Sequence, residues 1–266
     1  MKILAIGDIF GKTGRRVIER NLFRLKKEHE IDLVVANVEN TTHGKGISKK
    51  HYKELKFTKE KGEEKILIDV MTSGNHIFAC EETQKLINEV PDLLRPLNSN
   101  PYHPGRGSIL TEKKNKKIRV TNLLGTTFMS MAAENPYFAL EKVLEKKDWD
   151  IHLIDFHAET TAEKNVLALY LDGKISALWG THTHVQTADE RILPSKKTAF
   201  ITDLGMTGPY GGVIGAKYEA IIRRSKDGLP AKMTPHEDRG QFNGVIFEFD
   251  DINNRAISIK RIRKIF

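Results

Sequence analysis

An α/β fold with a largely parallel sheet, helices on the outside and antiparallel C-terminal strands is predicted by three observations. Short apolar runs alternate with segments of helical spacing over most of the chain. Several of those runs stop at Asp, Glu, Asn or His, which lines up polar groups at the strand ends. Val245 to Phe249 and Ala256 to Ile262 alternate apolar with charged residues, as an antiparallel pair does. At 266 residues, 39% hydrophobic and 29% charged, the chain fits one domain spanning 1–266 with a sizeable core. It carries no internal repeat and no linker.

In order, Lys2 to Gly7 reads as a buried strand ending at Asp8. The turn Gly11-Lys12-Thr13-Gly14 and a helix bearing Val17, Ile18, Leu22 and Leu25 follow. Neither a Walker loop nor a dinucleotide fingerprint fits that glycine spacing. Ile31 to Val38 is a second strand, ending at Glu39-Asn40, and Ser48 is placed to cap the next helix. Lys65 to Met71 reads as the third strand, running into Gly74-Asn75-His76. A short helix and a Pro-rich connection fill Glu81 to Arg106. Ile118 to Leu124 is a strand, the Met-containing stretch Thr126 to Met131 is expected in the core, and Pro136 to Lys147 is a helix. Asp150 to Phe156 is a strand ending at His157-Ala158-Glu159, and a helix capped by Thr160 or Thr161 follows it. Ile175 to Trp179 leads into Gly180-Thr181-His182-Thr183-His184. In an extended chain positions i and i+2 share a side, so His182 and His184 are expected to present two imidazoles in one direction. Thr198 to Thr202 is a further strand, running into Asp203.

Cys80 is the only cysteine, which excludes a disulfide framework within the chain and argues against a thiolate zinc site and for a reducing compartment. The N-terminal apolar run is too short for a signal-peptide core or a membrane span, so a cytoplasmic protein with no membrane partner is expected. The net charge is +8, with local excess in Lys113-Lys114-Asn115-Lys116-Lys117 and Lys260-Arg261-Ile262-Arg263-Lys264. Such a surface favours phosphate-bearing partners, RNA among them.

Carboxylate, amide and imidazole groups without thiolate suit iron, manganese or zinc, and they outnumber what one ion needs. Glu39, on an early central strand, is placed to bridge two ions roughly 3.5–4 Å apart, the spacing at which two-metal hydrolases activate water. A hydroxide held between the ions would attack phosphorus in line while a neighbouring His protonates the leaving oxygen.

The residues also carry a resemblance. Gly7-Asp8, Gly74-Asn75-His76, His157 and Gly180 to His184 follow, in order, the motifs of calcineurin-like metallophosphoesterases. Where that superfamily usually has Asp-x-His this chain has Asp8-Ile9-Phe10, and Glu39-Asn40 replaces the usual bridging aspartate. Both departures are shared with its YmdB-like branch. The chain resembles that branch further at Gly44-Lys45-Gly46-Ile47, Pro104-Gly105-Arg106-Gly107, Phe156-His157-Ala158-Glu159 with Glu163-Lys164, and Thr181 to Pro209. Ile77-Phe78 departs from the Thr-Trp expected there. The resemblance implies a calcineurin-like four-layered sandwich holding two divalent or mixed-valence ions, iron or manganese, with phosphodiesterase activity on 2′,3′-cyclic nucleotides. It implies Asp8, Glu39, Asn40 and His184 around one ion, Glu39, Asn75, His157 and His182 around the other, and His76 as proton donor. His43, in the loop after Glu39, is a candidate substrate contact. A regulatory or RNA-binding protein on the same fold and a dinuclear amidohydrolase are the competing classes. The C-terminal strands offer an edge through which copies could pair into a homo-oligomer.

Overall fold

The computed structural model describes residues 1–232, 234–237 and 239–266. The chain begins β1 (Lys2–Ile6), β2 (Asp8–Ile9), α1 (Gly11–Glu28), β3 (Leu33–Asn37) and α2 (Lys49–Lys56). A hairpin of β4 (Phe57–Glu60) and β5 (Glu63–Ile66) precedes β6 (Val70–Thr72) and α3 (Glu81–Glu89). Next come β7 (Ser108–Lys113), β8 (Lys116–Leu124), α4 (Pro136–Leu144), β9 (Ile151–His157), α5 (Thr161–Tyr170) and β10 (Ala177–Thr181). The chain closes with β11 (Arg191–Ile192), β12 (Ala199–Ile201), β13 (Met206–Pro209), α6 (Tyr218–Asp227), β14 (Gly240–Phe249) and β15 (Ala256–Ile265).

Two sheets carry the fold. One runs β2-β13-β14-β1-β3-β6 with β15 on β14, and the other runs β11-β12-β10-β9-β8-β7. The central pairs β1–β3, β3–β6, β8–β9, β9–β10 and β10–β12 are parallel. The C-terminal strands β14 and β15 pair antiparallel, as expected. Alternation along β1 explains the layering: Ile3 and Ala5 enter a core shared with Val120, Leu153 and Trp179 of the other sheet, whereas Leu4 and Ile6 pack with Ile18 and Leu22 of α1. Leu140 of α4 and Leu167 of α5 cover the outer face of the second sheet with Ile154 and Phe156. The order is therefore helix, sheet, sheet, helix, the four-layered sandwich implied by the resemblance.

Some stretches depart from the sequence reading. Lys65 to Met71 is not one strand: Glu63–Ile66 belongs to the exposed hairpin, and only Val70–Thr72 joins the sheet. Lys61 and Gly62, with φ of 51° and 87°, make the two-residue turn that reverses the chain. The lysine run is likewise a hairpin turn, with Lys114 and Asn115 at φ of 49° and 59° between β7 and β8. Thr126 to Met131 divides: Met129 is buried, while Phe128 is 87% exposed. Ser48 and Thr160 cap α2 and α5 as expected, accepting from the backbone N–H of His51 and Glu163. No helix among the described residues is long and apolar enough to cross a membrane.

Candidate metal centre

The polar groups at the strand ends meet where the C-terminal edges of both sheets face each other. Asp8 opens β2, Glu39 and Asn40 follow β3, and Asn75 and His76 follow β6 in the first sheet. His157 ends β9 in the second sheet, with Thr181 of β10 directly beside it in register. Asn37 ties the sheets together, since its amide donates to Ser73 O and to Asp155 Oδ2, both at 3.1 Å.

The donors form two groupings, and Asp8 approaches the histidine of each. Around His157, Nε2 lies 3.0 Å from Glu39 Oε1, 3.1 Å from Asn75 Oδ1 and 3.0 Å from His182 Nδ1. Around His184, Nε2 lies 3.3 Å from Asn40 Oδ1 and 3.9 Å from Asp8 Oδ1. Asp8 Oδ1 is also 3.8 Å from His157 Nδ1, and Asp8 Oδ2 accepts from His182 N at 3.2 Å. Asn40 holds its oxygen toward His184 because its Nδ2 donates to Gly44 O at 2.9 Å. The backbone N–H of His76 donates to Glu39 Oε2 at 2.9 Å.

The two imidazoles do not share a direction through strand alternation, contrary to expectation. β10 stops at Thr181, and His182 and His184 adopt left-handed backbone, with φ of 99° and 64°. Such positions cost on the order of 1–3 kcal/mol each and persist where the surroundings hold them. Here the holding contacts are Asp8 on His182 N, Asp203 Oδ2 on Thr183 N at 3.2 Å, and Ile214 O within 3.0 Å of His184 Nδ1. The turn sends His182 toward His157 and His184 toward Asn40.

The donors suit a cation. One ligand atom from each of Glu39, His157 and His182 lies within 4.8 Å of the others. Asp8 Oδ1 is buried with no hydrogen-bond partner, an arrangement a bound cation would satisfy. Gly74 supplies the space, because a Cβ there would come within 2.3 Å of His157 Nε2 and 2.5 Å of Glu39 Oε2. Electrostatics of the metal-free chain point the same way. Burial pushes the Asp8 carboxyl up. Burial also works against charge on Glu39 and His157, but their mutual attraction overrides it, holding Glu39 at about 2 and raising His157 to about 9. Burial, with the His157 charge beside it, lowers His182 to about 3, leaving a neutral imidazole ready to ligate.

A cleft of about 580 Å³ opens over these residues. His76 and His43 line it, His76 half-buried and His43 exposed, with Phe10, Lys45, Ile214 and Pro235 also on its walls. Burial lowers the His76 imidazole.

Residues that sequence reasoning did not select surround the ligands. Asp155, buried and pushed up to about 6 by burial, accepts from Thr181 Oγ1 at 2.7 Å and from Thr72 Oγ1. Its place two residues before His157, as the one carboxylate on the buried strand β9, was the available signal. Glu159 Oε2 lies 2.9 Å from His182 Nε2, which leaves Nδ1 facing the centre. Lys164 and Asp203 form a fully buried ion pair at 2.7 Å beneath the His182–His184 turn.

The family model for YmdB-like proteins matches residues 4–262. The chain belongs to the YmdB-like family. Among its relatives, a Bacillus subtilis protein named 2′,3′-cyclic-nucleotide 2′-phosphodiesterase is 40% identical over 98% of this chain and 96% of its own. A Mycoplasma pneumoniae protein whose crystal structure is described as that of a novel phosphatase superposes with a TM-score of 0.91 at 42% identity, over 100% of this chain and 93% of that one. A hypothetical protein from Thermus thermophilus superposes at 0.90 with 33% identity, covering 100% of this chain and 99% of its own. This YmdB-like chain therefore has whole-length counterparts of the same architecture.

Proposed function

We propose that residues 1–266 act as one metallophosphoesterase domain that hydrolyses 2′,3′-cyclic nucleotides with two bound ions, iron or manganese. The single observation that carries this reading is the division of the donors into two groupings, one around His157 and one around His184, with Asp8 Oδ1 within 3.9 Å of both histidines, at the floor of an open cleft. Asp8, Glu39, Asn40 and His184 would hold one ion, and Glu39, Asn75, His157 and His182 the other. When bound, such ions acidify a water and neutralise phosphate oxygens. The name of the B. subtilis relative supports the substrate class.

The chain's own residues supply the rest. Glu159 and Thr181 fix the tautomers of His182 and His157 so that one nitrogen of each faces the centre. The His76 imidazole, on the cleft wall, delivers a proton to the 2′-oxygen as its bond to phosphorus breaks and a bond from water forms, giving a 3′-phosphate. Burial alone disfavours the protonated form of His76, and the anionic phosphate entering the cleft offsets that. His43 and Lys45 stand at the mouth, where they would meet the phosphate or ribose.

The test is product identity. Metal-reloaded protein is incubated with 2′,3′-cyclic AMP, and the products are separated. Formation of 3′-AMP, lost when His76→Ala is used but with metal content unchanged, supports the reading. A folded, metal-loaded protein that leaves cyclic phosphates and chromogenic diesters intact would overturn it in favour of another hydrolase chemistry.

A further inference from the structure

α1 is electrostatically unusual. Its first turn holds no acidic residue and carries Lys12 as its second residue, a cation at the positive end of the helix dipole. Lys12, Arg16 and Arg20 then recur at i, i+4 and i+8, so like charges stand one above another about 6 Å apart along the axis. Such pairs destabilise a helix. All three are exposed, and none makes an ion pair among the described residues. Arg15, on another face, is occupied by Glu54 at 3.4 Å and Thr41 O at 2.7 Å.

This stripe lines a hollow of about 250 Å³ together with exposed Arg239, Glu237 and Phe266. Four cations face one carboxylate side chain there. On the other flank of α1, a hollow of about 530 Å³ also includes Lys12 and Arg16, but Glu19, Glu54 and Glu64 offset them. The 250 Å³ hollow adjoins the catalytic cleft along two strands of chain. Phe10 lines the cleft and Lys12 the hollow, and Pro235 lines the cleft and Glu237 the hollow. Two residues span at most about 7 Å, so an anion in the hollow sits within one or two nucleotide lengths of the cleft.

We infer that Lys12, Arg16, Arg20 and Arg239 form a phosphate track for the single strand upstream of a terminal 2′,3′-cyclic phosphate, making short RNA 3′ ends substrates beside mononucleotides. A regular row of cations along a helix suits a sugar-phosphate backbone better than a compact anion does, because successive phosphates repeat in one direction. The inference rests on the proposed phosphodiesterase reading for its chemistry. Its bond changes are those already given: water adds to phosphorus, the bond to the 2′-oxygen breaks, and the strand keeps a 3′-phosphate.

The experiment compares metal-loaded wild type with Arg16→Glu/Arg20→Glu, an exposed pair whose folding is checked by thermal melting. Two readouts are taken. The first is kcat/KM on 2′,3′-cyclic AMP and on a hexaribonucleotide ending in a 2′,3′-cyclic phosphate. The second is anisotropy of a fluorescent hexaribonucleotide 3′-phosphate, which reports binding without turnover. The expected result is an unchanged rate on cyclic AMP, a loss of about tenfold or more on the hexamer, and a slope of log K against log salt shallower by about 1.4 than in wild type. Binding of the hexamer that is equal in the two proteins would overturn the track whatever the turnover. No turnover of either substrate with binding that still depends on the two arginines would keep the track and remove the phosphodiesterase reading. An equal loss on both substrates would also overturn it, since the arginines would then serve the cleft itself.

Discussion

The Thr181 hydroxyl lies 2.9 Å from His157 Nδ1 and donates to Asp155 Oδ1 at 2.7 Å. A hydroxyl whose proton is committed to a carboxylate can only accept from the ring, so Nδ1 keeps a hydrogen and Nε2 is the nitrogen that faces Glu39, Asn75 and His182 and can ligate once its own proton leaves. Thr181→Val keeps the shape and removes this relay. Metal affinity at the His157 grouping should fall about 10–100-fold. Competition with a chelator measures it, and unchanged affinity would show that Asn75 and Glu39 alone orient the ring.

Gly74→Ala should disable the centre through one methyl group. Its Cβ would fall 2.2–2.5 Å from His157 and Glu39, neither of which can retreat from a buried position. Displacements of about 1 Å at reacting groups cost on the order of 100-fold in rate, and a loss of at least that size in kcat with a retained circular dichroism spectrum is expected.

The buried pair of Lys164 and Asp203 supports the turn from below. Lys164→Met would leave Asp203 charged and without its cation, a change that typically destabilises by about 3–5 kcal/mol. Urea unfolding should show that loss. Lys164→Met/Asp203→Asn should recover part of it, because no lone buried charge remains.

How much of this was legible in the sequence follows from where each residue sits. Asp8, Glu39, Asn75 and His157 stand at the ends of apolar runs, and the parallel topology brings such ends together, so their grouping could be read in advance. Lys164 lies in the first half of α5, where a lysine reads as solvated, and only the fold brings Asp203 against it from 39 positions away. The Lys65 to Met71 run misled because Asp69 is its single polar residue after Lys65, while the turn that reverses the hairpin, Lys61-Gly62, lies before it. The directions of His182 and His184 were set by left-handed backbone that no strand pattern shows.

Metal-free protein should depend on pH through the Glu39–His157 pair. His157 is raised from an ordinary 6.5 to about 9, so its stabilising share is full below 6.5 and is lost as pH rises through about 9. Glu39 is lowered from 4.5 to about 2, so its share is full above 4.5 and is lost as pH falls through about 2. Thermal melting of the chelated protein should therefore show this contribution fall from pH 6.5 to pH 9. Manganese uptake near neutral pH should release about one proton from His157, because a ligating imidazole is neutral. Indicator-dye titration in weak buffer detects it, and metal uptake without proton release would contradict the assigned charge state.

The central claim is that Glu39 is shared between two ions. Metal content per chain, measured by inductively coupled plasma mass spectrometry on wild type and Glu39→Gln after reloading with Mn²⁺ or Fe²⁺, tests it most directly. The account predicts two ions in the wild type and one or none in the variant, with phosphodiesterase turnover lost. Two ions retained in a folded Glu39→Gln protein, or a wild type that stays metal-free, would contradict it.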